Sequence, residues 1–143
     1  MTHISRSALV MHSAERMFDL VNDVKRYPEF LQGCQSTRVI AENDTMIEAE
    51  LTLAKAGFEQ SFTTRNSLRR PDLMTIQLVD GPFSRFTGTW TFQTLSEDAC
   101  KVTLELDFEM ANRLTGMAMA TVFKQVAGMM VDSFVKRANE IYG

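Results

Sequence analysis

The segment NRLTGMAMATVFKQVAGMMVDSFVKRANEIY (112–142) has the length and spacing of one long helix, and it is apolar on more than one side. A helix on the surface of a globular protein needs only one apolar stripe, roughly 100° wide. This segment has two stripes, rotated relative to each other around the helix axis. The first consists of Leu114, Ala118, Val122, Val126 and Met129, and the second of Met119, Phe123, Met130 and Phe134. The pattern predicts a helix that other parts of the protein cover on two sides.

A membrane is an alternative cover, because about 20 apolar residues span a bilayer. However, Lys124 stands near the centre of the segment, where inserting a charge costs on the order of 3 kcal/mol. The polar residues Thr115, Gln125 and Asp132 add to this cost. The N-terminal stretch MTHISRSALV lacks the basic region and the apolar run of a signal peptide. We therefore expect a cytoplasmic protein without a transmembrane segment.

The composition is that of an ordinary globular protein. The 143 residues are enough for one domain that buries about two thirds of its unfolded surface, and no linker or repeat divides residues 1–143. The net charge of −3 and the pI near 5.4 provide no overall field that would attract nucleic acid, and no motif predicts DNA binding. Cys34 and Cys100 lack the paired spacing of a zinc or redox site. We expect both to be reduced thiols in the core.

The middle of the chain alternates with period two, as FEQSFTTRNSL (58–68) illustrates. One face of this stretch carries Phe58, Gln60, Phe62, Thr64, Asn66 and Leu68, and the other carries Glu59, Ser61, Thr63, Arg65 and Ser67. Such alternation is typical of an antiparallel strand with one buried face. Turn residues separate this strand from six others, predicted at 4–11, 36–42, 47–53, 74–79, 85–94 and 101–110.

Two short helices are predicted between the first and second strands. Ser13 is suited to cap the first helix, Glu15 to its positive first turn, and Pro28 to open the second. The order is then one strand, two short helices, six strands and the long helix. A curved sheet with one apolar face needs a cover, and only the long helix is long enough to provide it. We expect an α+β fold in which the sheet wraps around this helix and leaves a cavity beneath it.

Catalytic chemistry has little support in the residues. A Ser-His-Asp or Cys-His arrangement needs a histidine close to its nucleophile, and only His3 and His12 are available, near the two ends of the first strand. We expect both to be exposed there, and neither belongs to a metal-binding cluster. The carboxylates of the strands alternate with apolar residues, which places them on the solvent face rather than in a desolvated acid–base site. These are Glu48, Glu50, Glu59, Glu105, Asp107 and Glu109.

Large aromatic and sulfur-containing side chains share the inward face. They include Phe58, Phe62, Phe86, Trp90, Phe92, Phe108, Met74, Met110, Met117 and Met129. Composition alone favours a well-filled core, although methionine also suits adaptable binding surfaces. The inward residues Gln60, Thr64 and Asn66 favour a ligand cavity, because burying an amide without a partner costs about 1–3 kcal/mol. A quinone ring with an isoprenoid tail would suit such a lining, and partner groups in the fold or ordered water would satisfy these residues equally well.

Four blocks carry a resemblance to a known family: LVNDVKRYPEFLQGC (20–34), FTTRNSL (62–68), LVDGPFSRFTGTWTF (78–92) and LDFEMANRL (106–114). In this order they resemble the START-like polyketide cyclase and coenzyme Q-binding family, and most closely its bacterial ribosome association toxins. The resemblance covers essentially the whole chain. It implies the helix-grip fold of START-like and Bet v 1-like domains, and an apolar cavity. It further implies ubiquinone binding, as in mitochondrial members, and binding to the large ribosomal subunit that blocks subunit joining, as in bacterial members.

The residues and the resemblance together predict a protein that is not an enzyme, requires no cofactor, and holds ubiquinone or another isoprenoid or lipid after transient membrane contact. The predicted ligand-binding residues are Phe30, Leu31, Phe58, Gln60, Phe62, Thr64, Asn66, Phe83, Phe86, Trp90, Phe108, Met117, Val122 and Met129. Of these, the resemblance implies that Phe30, Leu31, Phe83 and Met117 lie near the cavity mouth. A cyclase- or hydrolase-like enzyme acting on an apolar substrate in the same cavity is the alternative.

Ribosome binding requires local positive charge on this acidic chain. Arg65, Arg69 and Arg70 lie on or just beyond the outward face of one predicted strand, and they are the predicted ribosome-binding residues. Two further basic pairs occur at 25–26 and 136–137. Phosphate contacts by such clusters would make binding depend on salt concentration. Solvated surface charge, without any partner, is the alternative interpretation of all three groups.

Overall fold

A computed structural model shows a curved seven-stranded antiparallel sheet wrapped around one long helix, as the sequence predicts. The structure describes residues 2–55 and 57–143, with the side chains of all of these except 113–115. The strands are β1 Thr2–Val10, β2 Cys34–Asn43, β3 Met46–Lys55, β4 Phe58–Arg69, β5 Leu73–Asp80, β6 Phe83–Ser96 and β7 Ala99–Met110. The helices are α1 Ala14–Asn22, a 3₁₀ helix Val24–Glu29, and α2 Arg113–Tyr142.

The strand order in the sheet is β1-β7-β6-β5-β4-β3-β2. Strands β2 to β7 form a meander, and β1 pairs with β7, from Thr2 opposite Phe108 to Val10 opposite Cys100. The two short helices therefore connect one edge of the sheet to the other. All seven predicted strands are confirmed, each within two residues of its predicted ends. Alternating hydrophobicity located them because each strand buries only one of its two faces.

Strand β7 illustrates how this alternation builds the core. Val102, Leu104 and Leu106 lie on the buried face of the sheet and are at most 3% exposed, whereas Lys101 and Glu105 point to solvent. Both cysteines are buried and free, as predicted. The largest fully buried side chains come from the sheet, α1 and α2, so the core lies between the concave face of the sheet and the helices. They include Trp90, Phe18, Phe92, Phe108, Phe134, Met17 and Met74.

The two short helices are present, and the predicted start of the second one is wrong. The Ser13 hydroxyl accepts a hydrogen bond from the backbone N–H of Arg16 at 3.2 Å, which confirms it as the N-cap of α1. The 3₁₀ helix begins at Val24, and Pro28 lies inside it rather than at its first position. In a 3₁₀ helix residues three apart lie above one another. This spacing directs both Val24 and Tyr27 into the core, where each is at most 4% exposed.

Helix α2 begins within one residue of the predicted position, and it buries one wide face instead of two separate stripes. Its buried residues are Gly116, Phe123, Val126, Ala127, Val131, Phe134 and Ala138. At 3.6 residues per turn, these positions span an arc of roughly 140°. The predicted first stripe is centred outside this arc, so that Ala118 and Met129 are exposed and only Val126 is buried. The side chain of Leu114 lies outside the described residues.

The expectation that both histidines are exposed is wrong for one of them. His3 is exposed beside Asp107, whereas His12 is only 7% exposed. The Nε2 atom of His12 lies 2.8 Å from Oδ1 of Asn139, near the end of α2. The end of α2 covers His12, since the ring of Tyr142 lies 5.8 Å from the His12 ring. None of the helices in the described parts of the chain combines the length and the hydropathy needed to cross a membrane.

Candidate functional site

A cavity of about 70 Å³ lies between the concave face of the sheet and α2; we call it the main cavity. It is lined by Val24, Tyr27, Leu31, Ile47, Ala49, Leu51, Leu53, Phe62, Thr64, Asn66, Ile76, Phe86, Trp90, Leu104, Leu106, Phe123, Val126, Ala127 and Met130. An apolar cavity of about 150 Å³ is enough to bind benzene. The main cavity in this conformation has about half that volume, so we expect a ring-containing ligand to require side chains or α2 to move outward.

A second cavity of about 20 Å³ lies beside the first; we call it the side cavity. It is lined by Leu53, Phe58, Gln60, Phe62, Phe83, Met119, Val122 and Phe123. Phe58 is 40% exposed, which marks the side on which this cavity approaches solvent. Leu53, Phe62 and Phe123 line both cavities, so they stand between them.

The aromatic side chains between and behind the cavities form one cluster of rings. Phe123 lies 5.8 Å from Phe62, 5.2 Å from Phe83 and 4.7 Å from Phe108, measured between ring centroids. Phe86 completes the cluster, with its ring 5.7 Å from that of Phe123. Most of these pairs are edge-to-face, which is the arrangement that aromatic rings prefer. The cluster gives the two cavities a shared aromatic wall.

Asn66 is the polar side chain with an unmet hydrogen-bonding need in the main cavity. Its amide Nδ2 donates to Sδ of Met74 at 3.6 Å, and thioether sulfur is a weak acceptor. Its Oδ1 is buried and has no hydrogen-bond partner among the described residues. The neighbouring Thr64 also lines the cavity and is 6% exposed. By contrast, Gln60 in the side cavity donates from Nε2 to the carbonyl of Ser61 at 2.8 Å.

Tyr27 is the titratable residue in the lining of the main cavity. Its hydroxyl donates a hydrogen bond to the backbone carbonyl of Val21, and its ring packs 5.3 Å from that of Phe134. Burial raises the pKa of Tyr27 strongly, and the charges of Cys34 and Asp23 raise it further, so the phenol stays neutral at physiological pH. Burial also raises the pKa of the nearby Cys34 thiol to about 11. Neither group is a ready base or nucleophile.

The structure brings most of the predicted ligand-binding residues together. Leu31, Phe62, Thr64, Asn66, Phe86 and Trp90 line the main cavity. Phe58, Gln60, Phe83 and Val122 line the side cavity, together with Phe62. Phe83 is the first residue of β6 and only 7% exposed. Its ring packs against Phe86 and Phe123 of the aromatic cluster.

Four predicted ligand-binding residues lie outside both cavities. Phe108 is fully buried behind Phe123, on the side away from the cavities. Met117 is 76% exposed and Met129 is 37% exposed, because both lie outside the buried arc of α2. Phe30 is half-buried in a surface groove with Met129, where Cζ of Arg137 lies 5.2 Å from the centre of its ring. These four residues do not line either cavity, and their roles in ligand binding stay predictions.

Sequence reasoning missed much of the aliphatic lining. The main cavity is bounded by inward residues of β3 and β7, and by one face of α2. These are Ile47, Ala49, Leu51, Leu53, Leu104, Leu106, Phe123, Val126, Ala127 and Met130. The period-two pattern already placed the residues of β3 and β7 on the inward face, so the signal was present. The prediction favoured large aromatic residues, whereas a cavity forms where smaller side chains leave space.

The predicted ribosome-binding arginines do not form a free cationic cluster. Arg65 donates from Nε and Nη2 to Oε1 of Glu48, at 2.9 and 2.7 Å. Arg70 donates to both carboxylate oxygens of Asp19, at 2.8 and 2.9 Å, and this contact raises the pKa of its guanidinium. Arg69 is exposed and forms no salt bridge to any residue that the structure describes. Arg69 is thus the member of the set whose charge is available to a partner.

In the described parts of the chain, no three His, Cys, Asp or Glu residues are arranged to hold a metal ion. The strand carboxylates lie outside the lining of the main cavity. The arrangement therefore offers an enclosed apolar space with an amide and a hydroxyl group, and a neutral phenol that is already hydrogen-bonded. These are features of a binding site for a mostly apolar molecule.

Comparison with known proteins gives a consistent result. The sequence profile of the family described as polyketide cyclase / dehydrase and lipid transport matches residues 10–135. Ribosome association toxin RatA of Pseudomonas aeruginosa is 47% identical over 142 residues, covering 99% of both chains. The mitochondrial coenzyme Q-binding protein coq10 of Schizosaccharomyces pombe is 29% identical over 140 residues, covering 92% of this chain and 84% of the relative.

The fold also matches solved structures. The crystal structure of Zhui aromatase/cyclase from Streptomyces sp. R1128 superposes with a TM-score of 0.86 at 16% identity. The match covers 99% of this chain and 96% of that chain. At this level of identity the match establishes the shared START-like fold and carries no information about activity.

Proposed function

This chain belongs to the polyketide cyclase / dehydrase and lipid transport family, and we propose that it binds the large ribosomal subunit and blocks subunit association. The observation that carries this proposal is its similarity to ribosome association toxin RatA over 99% of both chains. An identity of 47% over 142 positions is about 67 identical residues. The described part of this chain has only 35 buried non-glycine residues. The shared residues therefore extend beyond the core to the surface, where a partner would bind.

Sucrose-gradient centrifugation tests this proposal. Purified protein is added to bacterial ribosomes under conditions in which the subunits associate. Free subunits should accumulate as the protein concentration rises, and the protein should sediment with the large subunit. Circular dichroism of the same preparation verifies that the protein is folded. An unchanged profile with folded protein in excess over ribosomes would refute the proposal.

The contact surface on this chain is part of the proposal. Arg65, Arg69 and Arg70 are the proposed contact residues. Their ion pairs within the protein predict how much each contributes to ribosome binding. Arg69 forms no salt bridge within the described residues, whereas Arg65 and Arg70 each have a carboxylate partner. A guanidinium that already has a partner must exchange that contact for a phosphate contact, which reduces the net gain. We expect Arg69 to contribute most to ribosome binding.

A second proposed function is the binding of an apolar ligand such as ubiquinone, another isoprenoid or a lipid. The specific observation in its favour is Asn66, whose carbonyl oxygen lines an apolar cavity without a partner. Turning the amide about its last bond exchanges donor and acceptor, so Asn66 can meet either a quinone carbonyl or a quinol hydroxyl. The relative named a coenzyme Q-binding protein supports the same class of ligand. Transient contact with a membrane near the exposed Phe58 would provide access to such a molecule.

Mass spectrometry of the purified protein tests the ligand proposal. Native spectra should show a bound mass of a few hundred daltons, and an organic extract of the same sample should release a quinone or lipid. Repeated preparations that contain only the empty protein, and that bind no added short-chain ubiquinone, would refute it. We also propose that the protein requires no cofactor.

The enzymatic alternative has weaker support from the cavity. Enzymes occur among the proteins that share this fold, as the aromatase/cyclase structure illustrates. Acid–base catalysis requires a titratable group within reach of the substrate. In the described lining of the main cavity this group is Tyr27, whose hydroxyl already donates to the Val21 carbonyl and whose pKa is raised. We therefore propose a binding role in the cytoplasm rather than catalysis. Turnover of an apolar substrate that is abolished by Tyr27→Phe would overturn this.

A further inference from the structure

The main cavity and the side cavity differ in chemistry. The main cavity contains the Thr64 hydroxyl and the Asn66 amide, whose Oδ1 has no hydrogen-bond partner among the described residues. The side cavity is apolar apart from Gln60, whose amide is already bonded to the Ser61 carbonyl. A polar ring would therefore be stabilised in the main cavity, and a hydrocarbon chain in the side cavity. The two spaces are complementary to two parts of one amphipathic molecule.

Two phenylalanine rings separate these spaces. Phe62 on β4 and Phe123 on α2 line both cavities, and their rings meet edge to face with centroids 5.8 Å apart. Packing alone holds the two rings, so a change of side-chain rotamer or a shift of α2 would displace them. Leu53 is the third shared residue and lies on the neighbouring strand β3. Displacing the two rings would join the cavities into one continuous space.

We propose that the two cavities are compartments of a single ligand site, and that Phe62 and Phe123 form a movable partition that controls how far a chain-bearing ligand enters. This proposal rests on the proposed binding of an apolar ligand. The ring of the ligand occupies the main cavity beside Asn66 and Thr64. Its chain passes between the two phenylalanines into the side cavity, towards Phe58. The partition thus selects for ligands that carry a flexible chain on a polar ring.

The attachment of α2 indicates how the partition moves. Within the described residues of α2, side-chain hydrogen bonds to other elements come only from its last two turns. Arg137 bonds to Glu29 at 2.8 Å, Asn139 bonds to His12 at 2.8 Å, and the Tyr142 hydroxyl donates to a backbone carbonyl of α1 at 3.4 Å. Phe123 lies more than three turns before this anchor. The N-terminal half of α2 can therefore lift away from the sheet, and carry Phe123 with it, without breaking these bonds.

The single tryptophan of the chain makes the partition measurable. Trp90 lines the main cavity and is 2% exposed, so a dissolved quencher reaches it only through an opening of the structure. The variants Phe62→Leu and Phe123→Leu each replace one ring of the partition with a smaller apolar side chain. Phe108→Leu is the matched control, because Phe108 belongs to the same ring cluster and touches Phe123 but borders neither cavity. Urea unfolding verifies that all three variants are folded.

Quenching of Trp90 by acrylamide tests the partition without any ligand. F62L and F123L remove the edge-to-face contact between the two rings of the partition, whereas F108L keeps both rings and this contact. Such a contact is worth roughly a two- to tenfold change in an equilibrium constant, so F62L and F123L should raise the quenching rate constant by about that factor. F108L should leave it at the wild-type value. Equal quenching in wild type, F62L, F123L and F108L would overturn the partition, whatever the ligand data show.

Quinone titrations followed by Trp90 fluorescence test the two compartments. The probes are the ubiquinone head group without a chain and the same head group with two isoprenoid units. F123L should increase affinity for the chain-bearing quinone relative to the head group by roughly two- to tenfold, and F108L should not change this ratio. A ratio that stays the same in F123L would overturn the single-site proposal. Increased acrylamide quenching without quinone binding by any variant would confirm the partition and refute the proposed ligand class.

Discussion

Replacing Asn66 with leucine should stabilise the empty protein while weakening ligand binding. Asn66 lines the main cavity with an unpartnered Oδ1, and its Nδ2 contacts only the weak acceptor Met74 Sδ. A buried amide without a good partner costs about 1–3 kcal/mol. Leucine has a similar length and no polar atoms, so it removes this cost and fills part of the cavity. We expect N66L to raise the free energy of unfolding by about 1–2 kcal/mol, given the small loss at Met74.

Urea unfolding followed by Trp90 fluorescence measures this change directly, and calorimetry provides a second measurement. For a chain of 143 residues, 1 kcal/mol corresponds to about 3 °C in Tm, so we expect an increase of about 3–6 °C. The same variant should bind a short-chain ubiquinone about tenfold more weakly, because it loses one hydrogen bond to the ring. Stability and binding should therefore change in opposite directions.

Gln60→Leu is the matched control for this prediction. Gln60 lies on the same strand and the same face, but its amide donates to the Ser61 carbonyl at 2.8 Å. Its replacement loses a hydrogen bond and should lower stability by about 0.5–1.5 kcal/mol. The reasoning is refuted if N66L is destabilised to the same extent as Q60L. Such a result would mean that the Asn66 amide is already satisfied, for instance by ordered water.

Three further predictions follow from other parts of the structure. Arg69→Gln should reduce the dependence of ribosome binding on salt concentration by about one unit of logarithmic slope, and Arg65→Gln should have a smaller effect, measured by sedimentation at several salt concentrations. Burial raises the pKa values of the Cys34 and Cys100 thiols from 9.0 to about 11, so that the unfolded state ionises first. The stability gained by keeping both thiols neutral in the folded state is therefore intact below pH 9 and is lost as the pH rises to about 11. Urea unfolding over this pH range should show a smaller loss of stability in a C34S/C100S variant than in the wild type. Gly33→Ala should lower the free energy of unfolding by more than about 1 kcal/mol, because Gly33 has φ +85° and an added Cβ would lie 2.6 Å from a side chain of α2; an unchanged unfolding midpoint would contradict this.

The fold was predictable because it depends on patterns that repeat along the chain. Strand β7 alternates between buried and exposed residues over its whole length, and the meander follows from the turn residues between such strands. Helix α2 was predicted to within one residue of its start. The face of α2 that turns towards the sheet was not predictable, because apolar residues such as Met117 and Met129 occur on the solvent face as well. Only the shape of the sheet decides which part of an all-round apolar helix becomes buried.

The candidate site was predicted in part, for a similar reason. The period-two alternation of β4 placed Thr64 and Asn66 on the inward face, and both line the main cavity. Whether an inward residue borders a cavity or fills the core, as Phe108 does, depends on the packing of several elements at once. The ion pair of Arg65 depends on register with β3, and that of Arg70 on contact with α1. Neither partner can be identified from spacing along the sequence.

The pairing of β1 with β7 has a consequence for how the chain folds. Its register joins residues about 90 to 106 positions apart, so this edge of the sheet can form only after nearly all other strands exist. Synthesis at roughly 5–20 residues per second leaves β1 without its partner for about 5–20 s. Contacts at such distances in the sequence also slow folding in general. Ser5, Arg6 and Ser7 separate the apolar residues of β1 into two short groups. A segment without a longer apolar run has little tendency to aggregate before its partner strand is synthesised.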